Sequence, residues 1–220
     1  MSTRRTAVLG LSIARIRPQW EGNVTKRGWV VLAAVCAGVP ARLAGQGAAS
    51  YTAADVHFMS GMIQHHAQAL LMAGWAPTHG ASAAVRALCE RIVVGQRDEI
   101  VLMRRWLGER HEPVPHADSA ALAHMMMPGM DSSMLMPGML TAAELQRLDQ
   151  ARGREFDQLF LQRMIRHHQG AITMVNQLFA SRGSGEEEPV FRFAANVFAD
   201  QTTEIERMQR MLADFLLAAP

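Results

Sequence analysis

The sequence predicts an all-α protein, a four-helix bundle made of two copies of one helical hairpin. Three observations carry that expectation. Ala, Leu, Met, Arg and Gln are abundant among the 220 residues while Tyr occurs once, a composition that favours helix over sheet. Apolar residues recur at helical rather than strand spacing. An eleven-residue line occurs twice, MIQHHAQALLM from Met62 and MIRHHQGAITM from Met164, each with two adjacent histidines at its centre.

Residues 1–46 are expected to stand outside the bundle. Lys26 and Arg27 precede the apolar run GWVVLAAVCAGVPA, and small residues follow it. That order is the pattern of a secretory signal peptide, and the run falls short of the ~20 residues a membrane span needs. The basic region would be unusually long, so the natural start is placed as late as Val24. An uncleaved N-terminal membrane anchor is the alternative. The segment holds seven of the 22 basic residues and one of the 20 acidic ones. Without it the chain has 15 basic and 19 acidic residues, a net charge of −4, and a nucleic-acid partner loses its electrostatic basis. Cys36 leaves with the segment, Cys89 then stands alone, and an internal disulfide is excluded.

The first hairpin is expected over about 53–109. On a helical wheel Phe58, Met62, His65, Ala69 and Met72 form one stripe, with Asp55, Met59 and His66 beside it. His57, Gln64 and Gln68 fall on the far side. The loop GWAPTHGAS turns the chain. The partner helix turns Val85, Leu88, Ile92, Gln96, Glu99, Ile100, Met103 and Trp106 inward. The second hairpin, about 141–215, repeats this. Thr141 and Glu144 make a capping box that opens its first helix, and Asp157, Phe160, Met164, His167, His168, Ala171 and Met174 follow the spacing of the first copy. Gln201, Glu204, Ile205 and Met208 then match Gln96, Glu99, Ile100 and Met103. Asp55 and Asp157 read as helix-start residues, and Glu186 to Glu188 as a solvated loop. His79 reads as solvated too. Between the hairpins a connector, 110–140, carries too many Pro and Gly for a long helix. One domain, 51–215, results.

The pattern D-x-x-F-x-x-x-M-I-x-H-H-x-x-A followed by Q-x-x-E-I-x-x-M resembles a secreted bacterial family known as domain of unknown function number 305. The resemblance covers about 51–215. It implies a ferritin-like four-helix bundle and a periplasmic or secreted location. Some members of that family are periplasmic copper-binding proteins tied to copper tolerance.

Two sets of residues carry candidate chemistry. The first is the inward His65, His66, His167 and His168, each pair with a methionine shortly before it, Met62 or Met164. Imidazole and thioether together suit copper, and thioether selects Cu(I). Glu99 and Glu204 can ligate directly or hold the remote imidazole nitrogen, with Gln96 and Gln201 as hydrogen-bond partners. The same side chains can also satisfy one another as a buried polar layer that specifies the bundle. The second set is the connector, with His124 beside Met125, Met126, Met127, Met130, Met134, Met136 and Met139. Seven methionines in a Pro/Gly segment can wrap a soft ion, or pack as adaptable apolar filler.

The expectation is therefore an exported, non-enzymatic metal-binding protein. It would take copper, as Cu(I), for buffering, sequestration or tolerance, with a copper-handling protein as a partner. A structural bundle with a His–Glu layer and no metal is the alternative. A di-metal ferritin-like oxidoreductase is disfavoured, because the Glu-x-x-His pairs such sites need do not occur in the chain.

Overall fold

A computed structural model describes residues 51–116 and 135–217. The segment expected to be a signal peptide, residues 1–46, lies outside the described residues, as do His124, Met125, Met126, Met127, Met130 and Met134. Among the described residues five helices follow in order: α1 (Ala53–Gly74), α2 (Ala83–Glu109), α3 (Ala142–Gln150), α4 (Gly153–Ala180) and α5 (Glu188–Leu217). No strand occurs among the described residues, so the all-α expectation holds. None of these helices is long and apolar enough to cross a membrane.

Local chemistry sets the helix starts. Thr52 and Asp55 form a capping box at α1. Ser82 accepts from the Val85 amide at α2. Thr141 and Glu144 form the expected box, but it opens only the nine residues of α3. The long helix of the second hairpin starts afresh at Gly153. Ala151 and Arg152 are extended, and Gly153 has φ +57°, a conformation in which glycine avoids a steric cost.

The break is held by the first hairpin's loop, and it corrects the expectation for His79. That residue is buried, not solvated. Its carbonyl accepts from the Gly153 amide at 2.8 Å. Its Nε2 donates to the Asp149 carbonyl at 2.8 Å, with the Asp149 carboxylate 3.0 Å away. Its ring lies between Trp75 and Phe156. A loop histidine looks exposed in sequence because the surface it meets lies some 70 residues away.

α1 packs against α2, α4 against α5, and the two hairpins meet chiefly along α1 and α4. Two apolar clusters result. One gathers Met72, Leu88, Ile92, Phe156, Phe160 and Met164. The other gathers Phe58, Met62, Met103, Trp106, Val175 and Val197. Burying side chains of this size contributes about 1.5–3 kcal/mol each, and this drives the hairpins together. Between the clusters every long helix contributes polar residues, and these form the belt described below.

The paired aspartates join the two copies. Asp55 accepts from the Gly185 amide in the second hairpin's loop at 2.6 Å. Asp157 accepts from the Ser82 amide in the first hairpin's loop at 3.1 and 3.2 Å. Asp55 thus keeps its expected place at a helix start, while Asp157 lies inside α4 and serves the other hairpin. Replacing Asp157 with Ala is expected to cost roughly 2–3 kcal/mol, since a charged partner of a backbone amide is lost. Urea unfolding measures this, and a loss below about 0.5 kcal/mol would show that the clamp is idle. Glu187 also departs from the solvated-loop expectation, because it accepts from Trp106 Nε1 at 2.8 Å and pairs with Arg110.

Candidate functional site

The belt consists of His65 and His66 from α1, Gln96 and Glu99 from α2, His167 and His168 from α4, and Gln201 and Glu204 from α5. All four histidines are fully buried. The wheel placed them inward, and helix α1 meets α4 at this level. The rings of His65 and His167 meet across the contact with centroids 3.8 Å apart and planes tilted by 37°. His66 and His168 point toward the partner helix of their own hairpin. His66 Nε2 donates to Glu99 Oε2 at 2.7 Å, and His168 Nε2 donates to Glu204 Oε2 at 2.6 Å. The repeat thus builds the same His–Glu pair twice.

Donor and acceptor chemistry fixes which nitrogens are engaged. A carboxylate or carbonyl oxygen only accepts, so the engaged Nε2 of His65, His66 and His168 carries the proton. A neutral ring then has its lone pair on Nδ1. Among the described residues those three Nδ1 atoms are buried without a hydrogen-bond partner, and neither nitrogen of His167 makes a hydrogen bond of ordinary geometry, although the His65 backbone lies close to its ring. Burial pushes His65 down to about 3, helped by the neighbouring His66. Burial, then the nearby His65, holds His167 well below its ordinary value. Both rings are therefore neutral at pH 7, the form that binds metal. Gln96 and Gln201, expected as hydrogen-bond partners, instead leave Gln96 Oε1, Gln96 Nε2 and Gln201 Oε1 buried with no partner among the described residues.

Met62 and Met164 are fully buried in the clusters above and below the belt. Among the described residues no three His, Cys, Asp or Glu side chains converge as a ready coordination sphere. Cys89 is buried, and burial pushes its thiol up to about 12. It is an inert apolar side chain at neutral pH rather than a thiolate donor.

One side of the belt is closed by a strap formed by residues 135–140, the end of the connector. Gln68, placed on the far side by the wheel, is buried and clamps the strap. Its Nε2 donates to the Leu140 carbonyl at 3.0 Å, and its Oε1 accepts from the Leu140 amide at 2.7 Å. His65 Nε2 donates to the Pro137 carbonyl at 3.0 Å. Gly138, at φ +77°, lies against Gly170 of α4, where an added Cβ would sit 1.9 Å from the Pro137 oxygen. Gln68 and Gly170 occupy equivalent positions in the repeated line. The copies therefore differ where one must grip the strap and the other must make room for it. Of the connector methionines, Met139 is buried and Met136 half-buried, and Met136 Sδ lies beside Gly61.

Glu144 anchors the strap's far end through Arg163 and Arg166. The Arg166 hydrogen bond holds its carboxyl down at about 2. On the other side of the bundle, a cleft of about 230 Å³ opens between α2 and α5. It exposes one edge of Glu99 and Glu204, whose side chains are 16 % and 23 % accessible. Asp200, also in the cleft, is raised above its ordinary value by partial burial and then by the charges of Glu99 and Glu204. Asp200 escapes sequence reasoning, because its counterpart in the first copy is Gly95.

Comparison with known proteins places this arrangement. No curated protein sequence matches the chain at a significant level. Solved structures do. A DUF305 fragment from Deinococcus radiodurans is 31% identical, covers 74% of this chain and 98% of its own, and superposes with a TM-score of 0.60. A candidate secreted DUF305 protein from Streptomyces coelicolor is 27% identical over 76% of this chain and 96% of its own, with a TM-score of 0.61. CopM in its Cu(II)-bound form is 26% identical over 73% and 97%, with a TM-score of 0.57. The model of the family called domain of unknown function DUF305 matches residues 55–212, from the Asp55 clamp to the last turns of α5, and the chain belongs to that family.

Proposed function

We propose that this chain is an exported metal-binding protein that holds copper, as Cu(I), for buffering, sequestration or tolerance. The observation that carries the reading is the set of unpartnered imidazole nitrogens in the belt. Each buried polar atom left without a partner costs roughly 1–3 kcal/mol, so a belt that only specified helix pairing would be expected to satisfy them. Neutral imidazole nitrogens are good ligands for copper. Glu99 and Glu204 fit the outer role of a carboxylate that fixes a ligating ring and raises its basicity. Met62 and Met164 add soft donors one turn earlier on the same helices, and Met136 and Met139 bring the connector to the belt's edge. In this reading His124, Met125, Met126, Met127, Met130 and Met134 supply a second, adaptable set of donors. CopM, a relative of the same fold, has been seen with Cu(II) bound. Export rests on the signal-like segment, and a copper-handling protein is the natural partner.

The test is an anaerobic Cu(I) titration of the full chain against a competing chelator. A variant with His65, His66, His167 and His168 changed to Ala is run beside it, after circular dichroism confirms that it is helical. The parent is expected to compete, and the variant to lose sites. Equal binding by both would move copper to the connector and leave the belt structural. A parent that never competes would overturn the copper reading.

A further inference from the structure

The belt is closed by the strap on the α1/α4 side, so a cation needs another way in. We propose that the cleft between α2 and α5 is a cation-binding vestibule that draws metal ions in and passes them to the histidines. The proposal rests on the metal-binding reading of the belt.

Three observations point to the cleft. Its walls carry Glu99, Asp200 and Glu204, and two of these carboxylates hold the inner imidazoles directly. They form a continuous polar link from solvent to fully buried rings. Gln96 and Gln201 also line the cleft. They are 3% and 2% exposed, and Gln96 Oε1, Gln96 Nε2 and Gln201 Oε1 have no hydrogen-bond partner among the described residues. Amide and carboxylate oxygens are hard donors that hold a soft ion such as Cu(I) only loosely, which suits capture and onward passage rather than storage. Finally, Gly95, one turn before Glu99 on the α2 wall, leaves open space, since an added Cβ there would meet nothing within 4 Å. Arg91 and Arg207 also line the cleft, and such cations restrain a carboxylate cluster from holding metal tightly. The carboxylates do not form a coordination sphere, which is what a transit site requires: capture by field and loose contact, then release inward. A cleft whose lining carries one more carboxylate than guanidinium raises the local concentration of cations and their rate of entry.

Gly95 provides the test, because a side chain there projects into open space and Lys favours a helix interior over Gly. Two measurements use the full chain. In the first, Mn²⁺ is titrated into metal-free, ¹⁵N-labelled protein. Selective broadening is expected at the amides of residues 95–99 and 200–204, and Gly95→Lys is expected to abolish it. In the second, Cu(I) loading from a weak chelator is followed by stopped flow. Gly95→Lys is expected to load about tenfold more slowly at low salt, with the same final stoichiometry, and the difference is expected to shrink as salt is added. Gly95→Ala and the remote Gln162→Lys are expected to behave as the parent. Uniform or distant Mn²⁺ broadening, or equal loading by Gly95→Lys and the parent, would overturn the vestibule. If the parent binds no Cu(I), the copper reading falls by itself, and the Mn²⁺ measurement alone decides whether the cleft holds cations.

Discussion

Gly170→Ala is expected to unseat the strap and destabilise the protein by about 3 kcal/mol. A Cβ at this position would stand 1.9 Å from the Pro137 oxygen and 2.4 Å from its carbonyl carbon. Both are backbone atoms, so no side-chain rotation relieves the clash. Either α4 bends or the strap leaves, and the strap is the weaker of the two. Its departure breaks the two Gln68 bonds to Leu140 and the His65 bond to Pro137, each worth roughly 1 kcal/mol net. It also removes the cover over His65. The gain in helix propensity from Gly to Ala, about 1 kcal/mol, offsets part of this. Urea unfolding gives the total, and hydrogen exchange at the Leu140 amide shows whether the strap has gone. Gln68→Ala removes the clamp without a clash and is expected to cost about 2 kcal/mol with the same loss of Leu140 protection. A Gly170→Ala protein as stable as the parent, with Leu140 still protected, would show that the strap is not seated on α4.

The second large effect is a loss of stability of the metal-free protein on mild acidification. His65 is held down at about 3 and His167 well below 6.5, whereas in the unfolded chain both titrate near 6.5. Between those values the unfolded state binds protons that the folded state refuses, so stability rises with pH. The stabilisation is complete above about pH 6.5 and is lost as pH falls toward 3. Each histidine contributes a slope of roughly 1.4 kcal/mol per pH unit once its unfolded form is protonated. Glu144 acts lower, because a carboxyl held down at about 2 loses its contribution only below its ordinary value of 4.5. Urea unfolding at pH 7, 6 and 5 therefore isolates the histidines. The expected result is a loss of a few kcal/mol by pH 5, with a shallower slope in His65→Gln and His167→Leu. A flat profile from pH 7 to 5 would mean that these rings are not buried in their neutral form.

Several parts of the candidate site were legible before the fold was known. The inward His pairs and their spacing to Glu99 and Glu204 follow from helical periodicity applied twice, and each prediction was checked by its copy. Gln68 was misplaced because a wheel describes one helix against an average core. It cannot see a strap arriving from 72 residues away. His79 and Asp157 were misread for the same reason, since each meets the loop or helix of the other hairpin. Asp200 had no repeated counterpart to draw attention to it.

The sequence by itself determined the helices, their apolar faces and the repeated inward positions of the His pairs and of Glu99 and Glu204. These depend on residues within a few turns of one another, where the 3.6-residue period dictates which side chains share a face. The tertiary structure alone decided that the His65 ring meets the His167 ring, that His66 and His168 reach Glu99 and Glu204, that the belt is sealed on one side and open on the other, and that the second hairpin's first helix is broken at Gly153. Those features depend on where two hairpins and a connector come to rest against each other. That arrangement is settled by the joint packing of both apolar clusters and the close approach at Gly138 and Gly170, which no single segment encodes.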